Sequence, residues 1–179
     1  MKKIATIVVL CVTIALLCTT IQCKKDESWL LPSETQIGRG IFGCLVNGMA
    51  IRQNYSITSG MWPGGAYDIA KGLFVLNART ELIEYRLSFF VTRPRFGAGT
   101  FVIDSVIFYP IDPSIPYYYT AINTALITFT KFDESTSPAI ASGTFEFDAN
   151  GHDKETHQHI PNQKIRVRKG RFDVRYYPS

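Results

Sequence analysis

Phe42-Gly43-Cys44-Leu45-Val46-Asn47-Gly48-Met49-Ala50-Ile51 decides the fold class. Two apolar runs flank Asn-Gly, the pair that most readily takes a type I′ turn, because that turn needs positive φ at both central residues. A two-residue loop sets Val46 opposite Met49. Side chains alternate along a strand, so Phe42, Cys44, Val46, Met49 and Ile51 then share one face. That face is apolar, and Cys44 is expected to be a buried, inert thiol rather than a nucleophile.

The same alternation recurs along the chain. Thr144-Phe145-Glu146-Phe147-Asp148, Lys164-Ile165-Arg166-Val167-Arg168 and Phe172-Asp173-Val174-Arg175-Tyr176 each put apolar residues on one side and polar ones on the other. This is the period of an antiparallel sheet with one wet face. The inward parity flips between Val167 and Phe172, which predicts a bulge or turn at Lys169-Gly170. A Gly-x-Phe-x-apolar pattern appears at Gly40, Gly72, Gly99, Gly143 and Gly170. Its spacing is irregular, so it marks strand starts rather than a solenoid repeat. Further strands are expected over about 67–76, 82–91, 101–108, 118–132 and 140–148, with long loops at 59–65, 93–99, 110–116, 133–138 and 149–162. No stretch carries a sustained 3.6-residue period. The expected fold is an all-β antiparallel β-sandwich of about eight to ten strands, with a lipocalin-like β-barrel as the alternative.

Composition agrees with a folded domain. Of 179 residues, 46% are hydrophobic and 19% charged, which excludes general disorder. A net charge of +4 is too small and too mixed to point to nucleic acid.

The N-terminus speaks to compartment. Met1-Lys2-Lys3 precedes an apolar run from Ile4 to about Cys18, with no acid before Asp26. That is the charge and length pattern of a cleaved signal rather than of a bilayer span. Thr19-Thr20-Ile21-Gln22-Cys23 resembles the lipobox of bacterial lipoproteins, with Gln22 where a small residue is usual. In such proteins a diacylglycerol is joined to the cysteine sulfur, so Cys23 is the expected lipidation site. The following Lys24-Lys25-Asp26-Glu27 resembles the surface-export signal of Bacteroidota lipoproteins. The resemblance implies an outer-membrane lipoprotein displayed at the cell surface. The expected organisation is a signal peptide at 1–22, a lipid-anchored tether at 23–36 and one all-β domain at 37–179. Cys11 and Cys18 leave with the signal, and Cys44 is left without a partner in the chain.

A wider resemblance covers nearly all the mature chain. Leu31-Pro32-x-Glu34-Thr35-Gln36, the Phe42–Gly48 stretch, Ile127-Thr128-x-Thr130-Lys131-Phe132-Asp133, Ser142-Gly143-Thr144-Phe145-Glu146-Phe147 and Gly170-Arg171-Phe172-Asp173-Val174-x-Tyr176 are similar to blocks of an uncharacterised Bacteroidota lipoprotein family. That family is a domain of unknown function, so the resemblance implies a compartment and no catalytic residue.

The chain holds no recognisable catalytic constellation. There is no Gly-x-Ser-x-Gly elbow, and no pair of carboxylates is marked by spacing. His152, His157 and His159 lie in one polar stretch without the i, i+4 spacing of a zinc protease, and read as a solvated loop. No metal or cofactor is expected. Two surfaces are binding candidates. Lys164, Arg166 and Arg168 alternate on one strand face and can dock an anionic glycan or a lipid headgroup, unless Glu146 or Asp148 neutralises them across the ladder. Trp62 with Tyr117, Tyr118 and Tyr119 can form a sugar-stacking platform, unless Trp62 plugs the domain and the tyrosines alternate in and out. The expected function is a non-catalytic binding or assembly module, held to the membrane by its N-terminal lipid and facing a glycan or envelope protein. The alternative is a hydrolase acting on glycans or peptides.

Overall fold

The computed structural model describes residues 27–53, 64–80, 85–92, 97–110, 112 and 114–178; the stretch expected to be a signal peptide, the expected lipidation site Cys23 and the binding candidate Trp62 lie outside them. Among the described residues, a short 3-10 turn at Glu27–Leu30 precedes nine strands. These are β1 (Ile41–Val46), β2 (Met49–Gln53), β3 (Gly64–Asp68), β4 (Leu73–Thr80), β5 (Tyr85–Thr92), β6 (Gly99–Pro110), β7 (Tyr117–Asp133), β8 (Ala139–Asp153) and β9 (His159–Pro178). The all-β class holds. Among the described residues no helix is long and apolar enough to cross a membrane.

The opening hairpin has the register that Asn-Gly dictates. Val46 pairs with Met49 and Cys44 with Ile51, and Asn47 and Gly48 have φ of 51° and 88°. Phe42, Cys44, Val46 and Ile51 are buried, whereas Met49 at the hairpin tip is 60% exposed. Alternation gave Met49 the right face, but the core does not reach the tip.

The parity flip in β9 is a bulge, as expected. Phe145 pairs with Gly170 and Phe147 with Val167, so β9 carries one residue more than β8 between these pairs. β1 meets the same irregularity between Gly43 and Leu45. Lys169 has φ 52°. The bulge does not end the strand. The two short strands expected around it are one strand of 20 residues. The loop expected over 149–162 is likewise shorter, because β8 runs to Asp153 and β9 begins at His159.

The nine strands form one sheet in the order β2-β1-β9-β3-β4-β5-β6-β7-β8, with β8 also paired to β9. The pairings from β9 through β3 and round to β8 therefore make a circuit. One junction differs from the antiparallel expectation: β3 pairs with β9 in parallel, Gly65 to Tyr176 and Tyr67 to Pro178. β9 can serve three neighbours because β1 and β3 share one of its edges, β1 over Asp173 to Val167 and β3 over Tyr176 to Pro178.

The circuit encloses a filled interior. Phe42, Phe74, Phe89, Phe108, Phe129, Phe145, Phe147, Phe172 and Tyr176 are all buried. Their rings touch in series: Phe42 stacks on Phe145 at 5.3 Å, and Phe89 meets Phe145 edge-on at 4.7 Å. Phe129 bridges Phe74 and Phe172 at 5.3 and 5.7 Å. Edge-to-face pairs of this kind contribute about 0.5–1.5 kcal/mol beyond the area they bury. Ring fills ring here, and the polar side chains alternate to the outside.

Candidate functional site

Three outer features carry polar chemistry. The first is a latch built on Asp173. Phe172 and Val174 point into the core, so Asp173 points outward, yet it is buried because residues 35–39 lie across it. Its carboxylate accepts hydrogen bonds from the Thr35 hydroxyl and from the backbone N–H groups of Ile37 (3.3 Å), Gly38 (2.8 Å) and Arg39 (3.1 Å). Ser142, its cross-strand partner, donates at 2.6 Å. Burial pushes the carboxyl up, but the Ser142, Thr35, Arg39 and Gly38 donors outweigh it and hold Asp173 below the usual carboxylate range. Beside it Arg171 donates to the Pro32 carbonyl at 2.8 Å and pairs with Glu34 at 3.5 Å. The segment expected to be a tether is thus a strap bound to the wall from Leu31 onward, and Leu31 itself is buried. A cleft of about 220 Å³ lies between strap and wall, lined by Glu34, Thr35, Gln36, Thr130, Gly143 and Phe172.

The second feature is the basic face of β9. Ile165 and Val167 are buried, so Lys164, Arg166 and Arg168 project outward. Asp148 on β8 meets two of them, Arg168 at 2.6 Å and Arg166 at 3.8 Å. Arg168 also donates to the Phe147 and Val167 carbonyls at 2.9 and 2.8 Å. Arg168 is therefore held by the protein itself. Beyond the bulge the outward row continues through Arg171, Asp173 and Arg175.

The third feature is a row of rings. The three tyrosines do not form one platform. Tyr119 is buried and Tyr117 packs on it edge-on at 5.6 Å, so both belong to the core side. Burial and the neighbouring Tyr117 push the Tyr119 phenol up to about 12. Only Tyr118 faces out. It stacks on Tyr109 of β6 at 5.8 Å on one side and on His152 of β8 at 5.7 Å on the other. Cross-strand pairing sets this row, since Tyr118 lies opposite His152 and the adjacent Tyr119 opposite Phe108. His157 closes over it: Tyr118 Oη and His157 Nδ1 are 3.1 Å apart, and His152 Nδ1 is 3.3 Å from the His157 carbonyl. Lys154 Nζ sits 4.8 Å above the Tyr109 ring, and Arg86 pairs with Tyr109 across β5. The histidine stretch is therefore not the plain solvated loop expected. Asp153 ties it down by accepting from Glu155 N, Thr156 N and Thr156 Oγ1.

Among the described residues no group of three or more His, Cys, Asp and Glu is placed to hold a metal ion. Cys44 is fully buried, and burial pushes its thiol up to about 12, which leaves it un-ionised and unreactive at neutral pH.

Reading along the chain missed Asp173, Thr35, Ser142 and Tyr109. For the latch no local signal exists, because the strap lies more than 130 residues from Asp173 and Ser142 lies 31 from it. For Tyr109, alternation through Ile107-Phe108-Tyr109 already placed it opposite in face to Phe108. No family model, curated protein or solved structure matches the chain.

Proposed function

We propose that this chain is a cell-envelope lipoprotein, acylated at Cys23 and displayed at the outer membrane, whose folded part is a non-catalytic binding module. The lipobox-like Cys23 and the Lys24-Lys25-Asp26-Glu27 run after it support the anchor. The resemblance to Bacteroidota lipoproteins rests on the sequence blocks alone. The circuit of pairings through β8, β9 and β3 favours the barrel alternative over an open sandwich.

The observation that carries the binding reading is the outward-facing ring row Tyr109–Tyr118–His152, exposed at Tyr109 and half-buried at Tyr118 and His152, set across three neighbouring strands of a domain whose interior is filled. Tyr109 is 39% exposed. Phenol hydroxyls and imidazole nitrogens on apolar rings offer both the stacking edge and the hydrogen bonds that a hydroxyl-rich ligand needs, which fits a glycan.

Two experiments test this. Intact mass of the purified mature protein is expected to show a chain beginning at Cys23 with acyl groups, and Cys23→Ala is expected to leave membranes. Persistent membrane attachment of Cys23→Ala would overturn the anchor. On a panel of immobilised envelope glycans, the protein is expected to bind and Tyr118→Ala to lose that binding at unchanged melting temperature. Equal binding by both, or none by either, removes the glycan reading.

A further inference from the structure

The wall that carries the strap has its own chemistry. Pro32 lies on the outer side of Gly43: a Cβ placed on Gly43 would come within 2.7 Å of Pro32 Cδ. Gly43 pairs with Arg52 on one side and Arg171 on the other, so both arginines share this outer face. Arg175 follows on the same parity of β9, and Gly38 of the strap packs on its stem. Arg39, Arg52 and Arg175 are exposed. Two acids of the strap and wall are engaged, Asp173 by five donors and Glu34 by Arg171. The 3-10 turn and the strap after it also expose large apolar side chains, Trp29 at 68% and Ile37 at 56%.

Resting on the anchor proposed above, we propose that this strap-covered outer wall of β2, β1 and β9 docks on the anionic lipid surface that holds Cys23, with Trp29 at the headgroup level. The leash decides the geometry. Four residue steps from Cys23 to Glu27 span at most about 14 Å when extended. The 3-10 turn to Leu31 adds about 8 Å. The total, about 22 Å, is shorter than the diameter of a domain whose radius of gyration is about 15 Å. Because Leu31 and the Asp173 latch fix the strap, the domain cannot roll to present its far side to the bilayer. What it presents is Trp29, Ile37 and the arginines. Tryptophan favours the membrane interface, and clustered Lys and Arg favour anionic headgroups. The wall read from sequence as a ligand dock for Lys164, Arg166 and Arg168 continues into this surface.

The test uses the mature protein extracted from membranes, its acylation first read by intact mass. The chain has two tryptophans, so Trp62→Phe leaves Trp29 as the sole emitter. In phosphatidylglycerol-containing vesicles, Trp29 emission is expected to shift blue, to be quenched by headgroup-proximal brominated lipid and to be shielded from acrylamide. Arg39→Glu combined with Arg175→Glu is expected to lose that quenching. A polarity-sensitive dye on Ser33→Cys reports the same contact should Trp62→Phe fail to fold, since Cys44 is buried. Acylated protein that binds vesicles but leaves both probes fully aqueous overturns the docking while the anchor stands. Unacylated protein overturns both. Equal shielding in phosphatidylcholine vesicles overturns the anionic surface. Shielding that persists without vesicles assigns the face to a second copy of the chain and overturns the proposal.

Discussion

Ser142 Oγ donates to Asp173 Oδ1 at 2.6 Å, side chain to side chain across the β8–β9 ladder, beneath the strap. Two polar residues on the outer face of a sheet are thereby sealed from water by a segment from the other end of the chain. Hydrogen bonds to a charged group each contribute about 1.5–3 kcal/mol net. Asp173→Asn keeps the shape but loses the charge that several donors share, and it is expected to cost about 3 kcal/mol. Ser142→Ala is expected to cost about 1.5 kcal/mol. Urea denaturation of the three proteins measures both.

The same carboxylate sets an acid limit. Its folded value lies below 3.8, so as pH falls the unfolded chain takes up the proton first. The stabilisation is complete above the unfolded value and is lost as pH drops through the lower folded one. The urea midpoint of the native protein is expected to hold from pH 7 to about 5 and then fall more steeply than that of Asp173→Asn. Parallel acid profiles for the two would refute a role for this group.

Tyr176 presents the converse case. It is fully buried against Tyr67, Phe74 and Phe132, and its hydroxyl has no hydrogen-bond partner among the described residues. Burial without a partner costs a hydroxyl about 1–3 kcal/mol. Tyr176→Phe is therefore expected to keep the fold and to raise stability by about 1 kcal/mol. A drop of similar size in the melting curve would show that the hydroxyl is satisfied in solution.

Cys44 provides a check on the core. With its thiol pushed to about 12 by burial, it is expected to resist thiol reagents in the native protein and to react fully in urea. Cys44→Ala is expected to lower stability by about 1–2 kcal/mol, as for small core truncations. Rapid modification of the folded protein would place the hairpin outside the core.

Gly143 tests backbone approach rather than side-chain packing. A Cβ there would lie 2.0 Å from the Thr128 carbonyl oxygen, a backbone atom that cannot swing away. Gly143→Ala is expected to cost about 3 kcal/mol or more, read as a large loss of melting temperature. A neutral result would mean that β7 and β8 sit further apart than their pairing implies.

These residues also mark what local reading can reach. Asn47-Gly48 specified a turn, a register and the burial of Cys44, because each follows from chain geometry within ten residues. The parity break at Lys169 was visible for the same reason. That 159–178 is one strand was not, since Lys169-Gly170 reads equally as a turn; only partners on both sides hold the bulge extended. The parallel Gly65–Tyr176 junction and the Thr35–Asp173 latch join residues more than 100 positions apart, and neither end carries a mark of the other. The sequence put His152 in a loop and left open which tyrosine faces out; the meeting of Tyr118 and His152 depends on the β7–β8 register, which no short motif encodes.

Every route that closes the sheet passes through β9, the latest of the strands in chain order. Until it is made, β1, β3 and β8 each keep an unpaired edge, and eight strands cannot complete their cooperative structure. The wall is therefore sealed by pairings that reach from β9 back to β1 and β3, contacts of long sequence separation that are slow to form because the entropy of the intervening chain must be overcome first.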